Sequence, residues 1–186
     1  MLIVGLGNPG AQYQNSRHNV GFETIEYFTE FLLKEGEFGG WKKERQTRST
    51  IGKGTYAEND FILAKPDTFM NNSGSAVKAL LKKYTLAPNN LVVVHDDIDI
   101  TIGSYKYARN RGSAGHKGVQ SIIDVLGTKD FWRIRIGIQP ESGKPKNTNT
   151  FVLANLTKEE QPILSDLTTE VIPKIYQILQ MKKAKS

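Results

Sequence analysis

MLIVGLGNPGAQYQNSRHNVGF, residues 1–22, decides most of the reading. It is a short apolar strand, a glycine–proline turn, a polar loop holding one histidine, and the start of a helix. Gly5 to Gly10 fit the pattern G-x-G-x-x-G, which suggests a dinucleotide-binding turn. The context rejects it. In such a turn the last glycine opens a helix, and apolar residues follow at helical spacing. Here residues 11–19 are polar and turn-rich, and the amphipathic pattern begins near Phe22. No second strand ends in an acid at the required distance, because Glu23 and Glu26 fall inside the helical stretch. What remains is a rigid platform at a strand end that presents the Asn8 amide, the Tyr13 ring and the His18 imidazole.

A chain of 186 residues, 38% hydrophobic and 24% charged, suits one ordinary α/β domain with a sizeable core. A single domain over 1–186 is expected, with 180–186 a disordered basic tail. The absence of cysteine excludes disulfides and thiolate metal sites. No basic segment leads into a long apolar run, and no window reaches the ~20 apolar residues that span a bilayer. A cytoplasmic protein with no membrane contact is expected. The net charge of +6 points to a polyanionic partner, and its distribution says more than its sum. Between Asp99 and Asp124 there is no acid, while Lys106, Arg109, Arg111 and Lys117 supply four cations beside His116. Glycines 103, 112, 115 and 118 in that stretch let backbone amides approach an anion closely. A second basic stretch sets Lys42, Lys43, Arg45, Arg48 and Lys53 against Glu44.

Strand patterns alternate with helix patterns and predict a single-domain layered α/β fold: a central mixed, mostly parallel sheet flanked by helices. Strands are expected at 2–6, 48–56, 61–65, 91–94, 102–108 and 133–138. Helices are expected at 22–34, 73–84 and from Val119 to Leu126. A last helix opens on a Thr157/Glu160 capping box, and Pro173 is expected to kink or divide it. Arg133 and Arg135 alternate with isoleucines, so one face of that strand is buried and the other shows two arginines.

Acid–base chemistry has few carriers. His18 follows a strand end. Asp96 ends the buried run Leu91–Val94, at the end of a strand where α/β sheets gather functional groups. If those two strands are neighbours, the carboxylate orients the imidazole and turns it into a general base for water. His95, Asp96, Asp97 and His116 also invite a two-metal reading. Adjacent strand residues point to opposite faces, however, so no metal and no other cofactor is expected. Asp97 and Asp99 are expected to end the strand and shape a turn. Asn71 precedes a helix and offers an amide donor and acceptor suited to a peptide backbone.

These pieces, taken in order, carry a resemblance. GLGNPG, Tyr13, RHNVGF, FMNNSG, HDDID, GSAGHKG, FWRIRIGI and FVLANL are similar to the blocks of bacterial-type peptidyl-tRNA hydrolases. The resemblance implies a monomeric, metal-free esterase that cuts the bond between a peptide and the ribose of tRNA, recycling tRNA from stalled translation. Its partner would be peptidyl-tRNA, held by its acceptor end and 3′ terminus, with no obligate protein partner. By position, His18 matches the catalytic base and Asp96 the acid that orients it. Asn8 and Asn71 match groups beside the scissile ester, while Tyr13 and Phe69 match contacts to the 3′ end of the tRNA. Lys106 and Arg135 match cations that hold the acceptor phosphate, and our own reading adds Arg109 and Arg111. Lys117 stands where the family usually has asparagine; it can donate but not accept a hydrogen bond, and is expected still to contact substrate. The alternative is a non-catalytic RNA-binding protein of the same fold.

Overall fold

The computed structural model describes residues 1–183 of the chain. Its strands are β1 (Leu2–Gly5), β2 (Glu37–Phe38), β3 (Lys42–Glu44), β4 (Ser49–Tyr56), β5 (Asn59–Pro66), β6 (Leu91–Thr101), β7 (Tyr105–Arg109) and β8 (Trp132–Gln139). The helices are α1 (Val20–Glu35), α2 (Ser73–Lys83), α3 (Lys117–Leu126), α4 (Thr148–Leu153) and α5 (Glu160–Lys183). One mixed sheet runs β2-β4-β5-β1-β6-β8-β7, with β3 paired to β4. Its parallel part is the four central strands β5, β1, β6 and β8, and every outer pairing is antiparallel. β1 and β6 are neighbours, the condition on which the His18–Asp96 reading depends.

The periodicities of the sequence explain both layers. Ile25, Phe28 and Leu32 of α1 join Leu164, Val171 and Ile175 of α5 over Ile3, Val92 and Ile134 on one face of the sheet. Val77 and Leu80 of α2 join Val119 and Ile122 of α3 over Leu2, Val4 and Val93 on the other. Each such buried aliphatic or aromatic side chain contributes roughly 1.5–3 kcal/mol relative to exposure. Among the described residues no helix is long and apolar enough to cross a membrane. The Thr157/Glu160 capping box forms, with Glu160 N–H donating to Thr157 Oγ1 and Thr157 N–H donating to Glu160 Oε2. Pro173 does not divide α5, which continues to Lys183. Residues 180–183 therefore extend this helix rather than starting a tail, and 184–186 lie outside the described residues.

Two glycines set the site. A Cβ on Gly5 would lie 2.2 Å from Gly21 O, and one on Gly21 would lie 2.4 Å from Val94 O. Only with both side chains absent does the start of α1 close onto the ends of β1 and β6. That approach brings the turn carrying His18 (Arg17–Asn19) against β6 at Asp96, just beyond the end of β1.

Candidate active site

His18 and Asp96 are both buried, and His18 Nδ1 lies 2.8 Å from Asp96 Oδ1. His116 Nε2 lies 2.8 Å from the same oxygen. The backbone fixes the proton on His116. Its Nδ1 accepts from the N–H groups of Gly118 and Val119, both at 3.2 Å, where it caps α3, so its proton sits on Nε2 and is donated to Asp96. Burial pushes the Asp96 carboxyl up, but the two imidazoles outweigh it and hold the group far below the usual carboxylate range. At neutral pH the group is therefore an anion. With His18 Nδ1 turned to Asp96, its Nε2 is the ring nitrogen left for the cleft.

His18, Asp96 and His116 form the one group of three potential metal-ligand residues found among the described residues, with ligand atoms within 4.8 Å of one another. Their geometry suits a hydrogen-bonded relay better than a metal cage. His116 Nε2 already carries a proton, and both imidazoles converge on one carboxylate oxygen.

The cleft around them measures about 590 Å³. Asn8 lines it with a fixed amide: Met70 N–H donates to Asn8 Oδ1 at 2.8 Å, which leaves Nδ2 as the open end, a donor. Asn19, unnoticed in the sequence, locks the same loop by accepting from Asn8 N–H at 2.8 Å and donating to Asn8 O at 3.0 Å. Tyr13 and Phe69 meet edge to face with ring centroids 6.4 Å apart, and Phe69 is 57% exposed at the rim. Asn71, Lys117, Lys144, Thr148, Val152 and Leu153 are among the other residues of the walls.

The peptidyl-tRNA hydrolase family model matches residues 2–186. The chain belongs to the peptidyl-tRNA hydrolase family. The peptidyl-tRNA hydrolase of Aquifex aeolicus is 40% identical over 174 residues, covering 92% of this chain and 85% of the relative. That of a Mycobacterium species (strain KMS) is 42% identical over 163 residues, covering 87% and 81%. The crystal structure of the Acinetobacter baumannii peptidyl-tRNA hydrolase superposes with a TM-score of 0.86 at 30% identity, covering 99% of this chain and 90% of that one. Family and fold thus make the chain an enzyme that hydrolyses peptidyl-tRNA.

The four expected phosphate-binding cations do not all lie together. Lys106, Arg111, Arg133 and Arg135 line a second cavity of about 790 Å³. Arg135 is tethered there by Asp97, which accepts from its Nε at 2.6 Å. Asp97 also accepts from Asp99 N–H at 2.9 Å, but these acids do not end the strand as expected: β6 continues to Thr101, with its register shifting between Asp97 and Thr101. Arg109 does not join them. Lys106 pairs with Arg135 across β7–β8, so Arg109, three residues on, lies on the opposite face, where its fork closes on Asp130 at 2.7 and 3.1 Å. Arg133 departs from expectation too: Arg135 stays partly exposed, but Arg133 on the same face of β8 is only 2% exposed.

Arg17 was also silent in the sequence. Buried, it donates to Ala154 O, Asn155 O and both oxygens of Glu160, and lies 4.2 Å from the Phe151 ring centroid. It pins the segment after α4 beside the turn that holds His18. The anchored segment directly follows Val152 and Leu153 of the cleft wall.

Proposed function

We propose that His18 is the general base of a metal-free ester hydrolysis. Its Nε2 takes a proton from water as the hydroxide adds to the ester carbonyl that joins peptide to ribose. The tetrahedral intermediate then collapses, the C–O bond to the ribose breaks, and the imidazolium returns the proton to the leaving ribose oxygen. The products are a tRNA with a free 3′ hydroxyl and a peptide acid, which releases its remaining proton to solvent as the carboxylate. Asp96 remains ionised throughout, holding the Nδ1–H tautomer and stabilising the imidazolium. Asn8 Nδ2 is the donor for the developing oxyanion, and Asn71 engages the peptide backbone. Tyr13 and Phe69 receive the 3′ terminus of the tRNA. Lys106, Arg111 and Arg135 hold acceptor phosphates, positioning without reading sequence. Lys117, on the cleft wall, contacts substrate. The enzyme works as a cytoplasmic monomer.

The 2.8 Å His18 Nδ1–Asp96 Oδ1 contact carries this reading. Two further features support it: among the described residues no serine or cysteine lines the cleft to serve as a covalent nucleophile, and His116 is occupied as a donor. The test is release of peptide from N-blocked and unblocked aminoacyl-tRNA in EDTA, for wild type and His18→Ala. Chelator-resistant cleavage of the blocked substrate alone, lost in the variant, is expected. Cleavage abolished by EDTA and restored by a divalent metal sinks the metal-free mechanism, and an active His18→Ala sinks the base.

A further inference from the structure

The second cavity is separated from the catalytic cleft by the loop after β7: residues 111–114 wall one and residues 114–117 the other. It gathers four cationic side chains, and no Asp or Glu lines it. Three of them reach solvent or a partner. The fourth, Arg133, has neither. Its Nε and one terminal nitrogen are buried with no hydrogen-bond partner, and the other makes only a 3.4 Å contact to Phe131 O. The guanidinium carbon lies 4.0 Å from the Phe131 ring centroid, and among the described residues no acid pairs with it. His95, also on the wall, offers no compensation. Its Nδ1 is bonded to Asp96 O, its Nε2 is buried without a partner, and burial holds its pKa well below the ordinary value, so the ring is neutral. Burial, and then the neighbouring Arg135, pushes the Arg133 guanidinium down to about 10.

A buried cation with no counter-charge destabilises a fold, and an apolar side chain of similar length is usually tolerated better. A methionine could cover Phe131 equally well. The guanidinium makes physical sense once an anion fills the space that its field reaches. We propose that Arg133 is a further binding cation of this pocket, acting on a bound phosphate from behind Lys106 and Arg135, and that the free enzyme carries it at reduced stability. This rests on the reading of Lys106 and Arg135 as phosphate contacts.

The proposal predicts opposite changes in stability and binding, which a structural role does not. Melting temperatures are measured for wild type, Arg133→Met, Arg133→Lys and Arg135→Met, with inorganic phosphate or with chloride at matched ionic strength. Affinity for deacylated tRNA is measured alongside. Arg133→Met should melt above wild type without phosphate, lose most of the phosphate-induced rise, and bind tRNA roughly five- to tenfold more weakly. Arg133→Lys, which retains the charge, should keep the phosphate response. Arg135→Met should lose the response without the gain in stability, because Asp97 is then left unpaired. An Arg133→Met protein that melts lower or fails to fold overturns the proposal, as does one that keeps the wild-type phosphate response and tRNA affinity. If Arg135→Met loses the response while Arg133→Met retains it, this proposal alone falls. If phosphate stabilises neither wild type nor Arg133→Lys and Arg135→Met binds tRNA normally, the phosphate reading of the pocket falls with it.

Discussion

The two cavities on either side of loop 111–117 treat buried charge in opposite ways. In the catalytic cleft, Asp96 is deeply buried, yet one oxygen receives both His18 and His116 at 2.8 Å. In the basic pocket, Arg133 is equally inaccessible, and its Nε and one terminal nitrogen have no hydrogen-bond partner among the described residues. The contrast follows from the task of each cavity. A general base must hold one tautomer and one orientation before substrate arrives, so its charges are answered within the fold. A phosphate site meets a charge that the substrate brings: Asp97 orients Arg135 there, while Arg133 is left without an acid.

The largest effects should fall on the answered side. His18→Ala should lower kcat/KM for ester cleavage by about 10³–10⁴, the full value of a positioned base. Asp96→Asn is a sharper probe. Because both imidazoles use Oδ1, an amide oxygen can accept both bonds and preserve the geometry while removing the charge. A loss of about 10² is expected, isolating the stabilisation of the imidazolium. A loss equal to that of His18→Ala would mean that geometry, not charge, was removed.

On the open side the effects should be smaller and appear in binding. Arg135→Met should weaken tRNA binding roughly tenfold and flatten its dependence on salt by about one counterion, while Arg109→Met should do neither, its fork being closed on Asp130. Equal effects at the two arginines would dissolve the distinction between the pocket and the rest of the basic surface.

How far the sequence reveals this contrast depends on the range of the contacts. The β1 and β6 runs and the amphipathic faces of α1, α2 and α3 follow from local periodicity, and the adjacency of two buried strands is enough to place His18 near Asp96. Strands β2 and β3 are too short and polar to show a pattern, and α4 is a single short helix in a stretch rich in turn residues. His116 reads as a residue shaping a glycine-rich loop, and as the cap of α3 it does. Its second bond, to Asp96, depends on that loop folding back over the end of β6. Arg133 lies on the wall of the cavity that the same loop borders, and two arginines alternating with isoleucines look alike until tertiary packing buries one of them.

A second unanswered charge, partly buried, lies away from both cavities. Burial, and then Glu26, raises the Glu23 carboxyl to about 7. A carboxyl raised in the folded state favours its protonated form there. Its contribution is therefore intact below the ordinary glutamate value and is lost as the pH climbs through 7. Glu23→Gln should add about 1 kcal/mol at pH 8, after allowance for partial exposure, and nothing near pH 4. Urea melts at the two pH values check this, and a gain independent of pH would show that packing rather than charge is responsible.

The smallest effect concerns the residue between the two cavities. Lys117 begins α3, where the positive end of the helix dipole disfavours a cation, and its side chain borders the cleft rather than the basic pocket. If it contacts substrate through charge, Lys117→Asn should change kcat/KM by no more than about threefold at low salt and less at high salt, since an exposed charge is screened. The same exchange should leave His18 and Asp96 undisturbed, because His116 caps the helix through its own Nδ1, independently of the next side chain. An inactive wild type restored by Lys117→Asn would reverse the assignment. Lysine would then be blocking a role that needs a hydrogen-bond acceptor, and the loop would belong to the catalytic machinery instead of the boundary between two differently charged sites.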